Sequence, residues 1–131
     1  MGKGLRLEEL DVYNLAMEIA NNVWHIVEKW DWFSRKTLGA QIVTAADSIA
    51  LNIAEGYGRF HYKENKNFCY YSRGSAKETL TAARMAKLRN LINEEEFKVL
   101  NQKLERYFQI MYRYIVAIGK SNSDTEKKSD Q

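Results

Sequence analysis

SIALNIAEGYGR, residues 48–59, reads as an apolar helical stripe interrupted by one amide and one carboxylate, and RGSAKE, residues 73–78, carries a similar set of interruptions. Asn52, Ser75 and Glu78 fall on faces that are otherwise apolar, where a polar side chain is costly to bury unless a partner stands opposite. With two helices running antiparallel about a turn near Phe60, Asn52 and Glu55 come to face Ser72, Arg73 and Ser75. Buried polar groups of this kind fix helix register at some cost in stability. The two stretches therefore predict a helical hairpin whose pairing is held by Asn52, Glu55, Ser75 and Glu78.

The same period extends in both directions. Upstream, Val12, Ala16, Ile19, Val23, Ile26 and Trp30 recur at steps of four and three, with Tyr13, Met17, Ala20, Trp24 and Val27 widening the apolar face. They predict a first helix over 11–30. Ser34 is expected to cap the second helix, 35–56, whose line is Leu38, Ile42, Ala45, Ile49, Asn52 and Gly56. That helix is expected to stop at Gly56 or Gly58, where glycine tolerates a left-handed C-terminal conformation.

The third helix, 63–89, has a line of small side chains, Cys69, Ser72, Ala76, Thr79, Ala83 and Ala86, that lets a neighbour approach closely. A second line, Phe68, Tyr71, Ser75, Glu78, Ala82 and Met85, is also expected to want a neighbour. The fourth helix, 94–118, opens on a capping box, Asn93 with Glu96, and an Ile92–Phe97 staple. Its seam is Phe97, Leu100, Leu104, Tyr107, Met111, Tyr114 and Ile118. Short links between helices of this length force antiparallel neighbours, so the expected fold is an all-α, up-down-up-down four-helix bundle in a single domain over 11–119. Residues 1–10 form an N-terminal arm in this reading. Residues 120–131, KSNSDTEKKSDQ, lack any apolar side chain and are expected to be a disordered tail.

Composition agrees with long helices. The 131 residues contain no proline and seven glycines, with 45% hydrophobic and 28% charged residues. A lone cysteine, Cys69, forms no internal disulfide and suits a reducing cytoplasm. Neither a signal-like apolar run at the N-terminus nor a membrane-length apolar stretch is present, so the expectation is a cytoplasmic protein with no membrane partner.

The net charge is only +3, but it is unevenly spread. Residues 56–93 hold eight basic side chains (Arg59, Lys63, Lys66, Arg73, Lys77, Arg84, Lys87, Arg89) against two acidic ones, Glu64 and Glu78. On the third helix Arg73, Lys77, Arg84 and Lys87 recur at helical spacing, a stripe able to follow a phosphate backbone. The alternative is a solvated helix face. Tyr57, Phe60, Tyr62, Phe68, Tyr70 and Tyr71 interleave with Arg59, His61, Lys63 and Lys66, a mixture suited to stacking bases or, equally, to closing a bundle end or subunit interface. Phe68 and Tyr71 lie on a seam and are read as packing. For Tyr57 and Tyr62 both readings stand.

Signatures of catalysis or cofactor binding are missing. No Glu-x-x-His pair of a di-iron bundle, Walker loop, GxGxxG or GxSxG occurs. His25 and His61 lack partners at ligand spacing, so no metal is expected, and Cys69 sits on the small-residue line as packing. The expectation is a protein with no enzymatic activity, no catalytic residues and no cofactor.

LDVYNLAMEIA (10–20), AQIVTAADSIALNIAEGYGR (40–59) and SRGSAKE (72–78) resemble the four-helix-bundle proteins of the 23S ribosomal RNA intervening-sequence family. They are similar, more distantly, to the accessory variability protein of diversity-generating retroelements. Two family prolines are replaced, at Phe33 to Ser34 and at Ala50. The resemblance implies a homopentameric ring of bundles with a central channel, and its retroelement relative looks like a basic nucleic-acid-binding partner of a reverse transcriptase. No catalytic residues come with it. Two functions follow: an oligomer that binds RNA or DNA through Arg59, Lys63, Lys66, Arg73, Lys77, Arg84 and Lys87, or a scaffold docking an acidic protein such as a polymerase or reverse transcriptase. An excess of large aromatic side chains, among them Trp24, Trp32 and Tyr112, favours self-association in either case.

Overall fold

The apolar stripes meet as the spacing requires. The computed structural model describes residues 5–130, with side chains as far as Gly119. Its long helices are α1 (Asp11–Val27), α2 (Ala40–Tyr57), α3 (Tyr62–Leu88) and α4 (Glu94–Asp130), with a 3-10 turn at Leu7–Glu9 ahead of them and no strand among the described residues. Packing runs α1 on α2, α2 on α3, α3 on α4, and α4 back on α1, with α2 and α3 the most extensive pair. This is an all-α, up-down-up-down bundle.

Its centre is the set of seams: Val12, Ile19 and Val23 from α1, Ile49 and Ile53 from α2, Cys69, Thr79 and Ala86 from α3, and Leu100, Leu104, Tyr107 and Met111 from α4 are all fully buried. The second line of α3 is not closed over, since Tyr71 and Met85 are exposed and Glu78 faces solvent. Only Ala82 of that line is buried.

Three local features differ from the sequence reading. α1 ends at Val27, and the cap that opens the next element is Asp31 rather than Ser34. The Asp31 carboxylate accepts from the Ser34 amide at 3.0 Å and from its hydroxyl at 2.7 Å. A short turn, Trp32–Ser34, and a π-helical turn, Arg35–Gly39, then lead into α2. The carboxylate wins because it bonds both the backbone and the side chain of Ser34.

The second difference is at the end of α2. Gly58 caps it in a right-handed conformation (φ −76°), and none of Gly39, Gly56, Gly58, Gly74 or Gly119 has a left-handed φ. Gly56 serves close approach instead. A Cβ there would lie 2.8 Å from Phe68 Cβ, 2.7 Å from Asn65 Oδ1 and 3.1 Å from the Asn65 carbonyl, all on α3. Left-handed backbone occurs at Asn90 (φ 60°), where Leu91 N–H bonds Ala86 C=O and Asn90 N–H bonds Lys87 C=O, a Schellman ending for α3. Asn93 and Glu96 then exchange reciprocal bonds of 2.8 and 3.0 Å as the capping box requires.

The third is the far end of α4, which continues past the stop expected at Gly119 and runs helical to Asp130 through the segment expected to be a disordered tail. No proline interrupts that stretch. The side chains of the polar segment 120–131, and residues 1–4 of the arm, lie outside the described residues.

Candidate nucleic-acid interface

On α3, Lys66, Tyr70, Arg73, Lys77 and Arg84 follow one another at helical three-four spacing and share one face. That face borders α4. The Lys77 ammonium stands 4.4 Å from the ring centroid of Phe108 on α4, and a Cβ added at Gly119 would come within 3.2 Å of Lys66 Nζ. Arg73 lies over the ring of its own neighbour Tyr70, 4.9 Å from the centroid.

Between the two helices is an open hollow of about 510 Å³, lined by Lys66, Tyr70 and Arg73 from α3 and by Tyr112 and Val116 from α4. A second, of about 580 Å³, is bounded by Phe108, Gln109, Tyr112 and Arg113. Tyr112 belongs to both. Among the described residues neither lining contains an acidic side chain.

The seven cations expected to contact nucleic acid divide into two groups. Arg59 bonds Glu55 at 2.6 Å and lies over Phe68, while Lys87 bonds Glu94 at 3.0 Å and lies over Phe97. Lys63, Lys66, Arg73, Lys77 and Arg84 make no ion pair with another described residue. Of these, Lys66, Arg73 and Lys77 converge along the α3–α4 groove. Lys63 lies in the first turn of α3, ahead of the hollow, and Arg84 further along the same face.

The aromatic residues sort by surroundings. Tyr57 donates its hydroxyl to the Leu5 carbonyl and so pins the N-terminal segment across the end of α2. Tyr62 packs on the core, Phe68 and Tyr71 meet edge to face at 5.5 Å, and Phe60 projects into solvent beside His61. What the sequence reading missed is the α4 contribution to the groove. Phe108 and Tyr112 each stand one position beyond a seam residue, Tyr107 and Met111, and that offset was the available signal.

The family model for 23S rRNA-intervening sequence proteins matches residues 8–113. The chain belongs to that family. Among solved structures, this intervening-sequence protein is similar to a crystal structure of a protein of the S23 ribosomal protein family from Bacteroides thetaiotaomicron, itself described as having unknown function. The TM-score is 0.72 at 17% identity, covering 79% of this chain and 97% of that one, a likeness that shows the fold alone. No curated protein matches the chain.

In this intervening-sequence protein the polar pairing of α2 and α3 is made by other residues than those the sequence singled out. Asn52 donates to Ser48 C=O of its own helix, and Glu55 turns to Arg59. Ser75 is half-buried and Glu78 exposed, and neither side chain bonds across to α2 among the described residues. The cross-helix link is instead Ser72, wholly buried, whose hydroxyl donates to Ile49 C=O on α2 at 2.8 Å and receives the hydroxyl of Tyr107 on α4. The reason is depth: Asn52 and Glu55 reach solvent or a nearer partner on their own helix, whereas Ser72 on the small-residue line has only the α2 carbonyl and Tyr107 to satisfy it.

Burial raises the pKa of the Tyr107 hydroxyl, keeping it a hydrogen-bond donor, and pushes the Cys69 thiol up to about 12, which leaves it protonated and inert. Among the described residues no cluster of His, Cys, Asp or Glu could hold a metal, and no helix is long and apolar enough to cross a membrane.

Proposed function

We propose that this protein is a non-enzymatic, cytoplasmic, oligomeric nucleic-acid-binding bundle, and that the α3–α4 groove is the surface it uses. The observation carrying this reading is that Lys66 and Arg73 line a hollow with the exposed ring of Tyr112 on the facing helix, and Lys77 stands over the half-buried ring of Phe108 beside it, all three cations without acidic partners among the described residues. Cations placed to neutralise phosphates beside planar rings make the combination that binds nucleic acid without sequence readout. The family name, which ties its members to inserts in ribosomal RNA, supports a nucleic-acid role.

Self-association multiplies that weak surface. Trp24, Trp32, Leu51 and Phe60 are exposed large apolar side chains that an assembly would cover. The pentamer implied by the family resemblance is the assembly we propose.

Three phosphate contacts per groove give a slope of about −2 in log K against log salt, so binding to one groove weakens about 20-fold between 50 and 200 mM salt, and more when several grooves act together. Anisotropy titrations with labelled RNA and DNA across that salt range test this, with light scattering coupled to gel filtration for the assembly. Arg73→Glu with Lys77→Glu should weaken binding at every salt concentration. Absence of binding at low salt overturns the reading and favours a scaffold for an acidic protein partner, which needs no bare nucleic acid.

A further inference from the structure

Resting on the nucleic-acid reading above, we infer that the α3–α4 groove takes single-stranded RNA, with unpaired bases stacked on Tyr112 and Tyr70 and phosphates held by Lys66, Arg73 and Lys77. Tyr112 is the decisive side chain. It is 66% exposed, although Tyr107, little more than a turn earlier on the same helix, is completely buried with its hydroxyl tied to Ser72. Its hydroxyl makes no hydrogen bond to a described residue.

A ring left in water between two hollows, with Arg73 lining one and Arg113 the other, is placed for a planar ligand carrying negative charge. Tyr70, 41% exposed and covered on one side by the Arg73 guanidinium, supplies a second platform about two turns from Lys77 along α3.

The strandedness follows from access. In a duplex the base faces are stacked on one another and only phosphates are offered, so the rings gain nothing. An unpaired strand gives each ring a base face as well as phosphates for Lys66, Arg73 and Lys77. Among the described residues both hollow linings are free of acidic side chains, so none of these residues repels the backbone. Ribose is favoured over deoxyribose because the Gln109 amide beside Tyr112, and the tyrosine hydroxyls themselves, both donate and accept, which is what a 2′-hydroxyl needs.

The test uses the full chain and an unstructured labelled oligoribonucleotide, its duplex with the complementary strand, and the single-stranded DNA of the same sequence. Wild type should bind the RNA single strand at least about tenfold tighter than the duplex. Tyr112→Leu should lose about tenfold on the single strand, leave the duplex affinity and the salt slope unchanged, and keep the wild-type melting temperature, whereas Tyr112→Phe keeps the single-strand affinity. Tyr70→Leu should act in the same direction. Equal affinity for single strand and duplex, with Tyr112→Leu silent, overturns this inference and leaves the broader reading standing. Binding of DNA as tight as RNA overturns the ribose assignment, and no binding to any of the three overturns both.

Discussion

Ser72 joins three helices through one hydroxyl, and the direction of its bonds determines what its removal costs. Tyr107 donates to Ser72, which donates to the Ile49 carbonyl. Tyr107→Phe removes a donor and leaves Ser72 still bonded, so the expected loss is about 1 kcal/mol, whereas Ser72→Ala strands the Tyr107 hydroxyl in a dry core and should cost about 2–3 kcal/mol. The double variant should be less destabilised than the sum, which a denaturation double-mutant cycle reads directly. Additive losses would show that the two hydroxyls do not interact.

Asp31 makes the stability of the fold depend on pH. Its carboxyl is held below the ordinary value of 3.8, first by the Ser34 backbone amide and then by the Ser34 hydroxyl. A depressed folded pKa contributes stability that is present above the unfolded pKa and is lost as pH falls through the folded one. Asp31→Ala should therefore lower the melting temperature at neutral pH, with the difference from wild type shrinking below about pH 4.

Among elements, two glycines on paired helices give opposite expectations. Gly56 on α2 has α3 backbone and the Phe68 Cβ against it, so Gly56→Ala should destabilise by about 1–3 kcal/mol through forced separation of the helices. Gly74 on α3 has nothing within 4 Å of an added Cβ, so Gly74→Ala should stabilise by about 0.5–1 kcal/mol through helix propensity alone. Thermal melts of the two variants in parallel check the pair.

The same contrast shows what could be read from sequence. Seams such as Val12 to Ile26 and Leu100 to Ile118 were legible because burial repeats with the helix period, and the Asn93–Glu96 box because it is local. The role of Gly56 was not, since a glycine chosen for contact with another helix looks in sequence like one chosen for a turn. Asp31 was overlooked for Ser34 because both are good caps three residues apart, and only the backbone path settles which one the amide meets.

At the scale of the molecule, the candidate site belongs to no single element. The basic surplus of α3 was visible along the chain, and its cations could be placed on one helix face. Which rings they share a groove with depends on how α4 packs, and Phe108 and Tyr112 are 42 and 39 residues from Lys66 and Arg73 in sequence. Asn52, Glu55, Ser75 and Glu78 were legible as polar interruptions, but periodicity records which face a residue occupies and not how deeply it lies. That is why Ser72, placed correctly on the small-residue line, was not recognised as the cross-helix link.

Mapping of lysine reactivity by acetylation and mass spectrometry, with and without saturating single-stranded RNA at low salt, tests the location of the site most directly. Lys66 and Lys77 should lose reactivity when RNA is present, while Lys29, beyond the end of α1, and Lys103, whose ammonium reaches Glu18 and Asn22 on α1, should not. Unchanged reactivity at Lys66 and Lys77 with RNA bound would contradict the assignment of the groove.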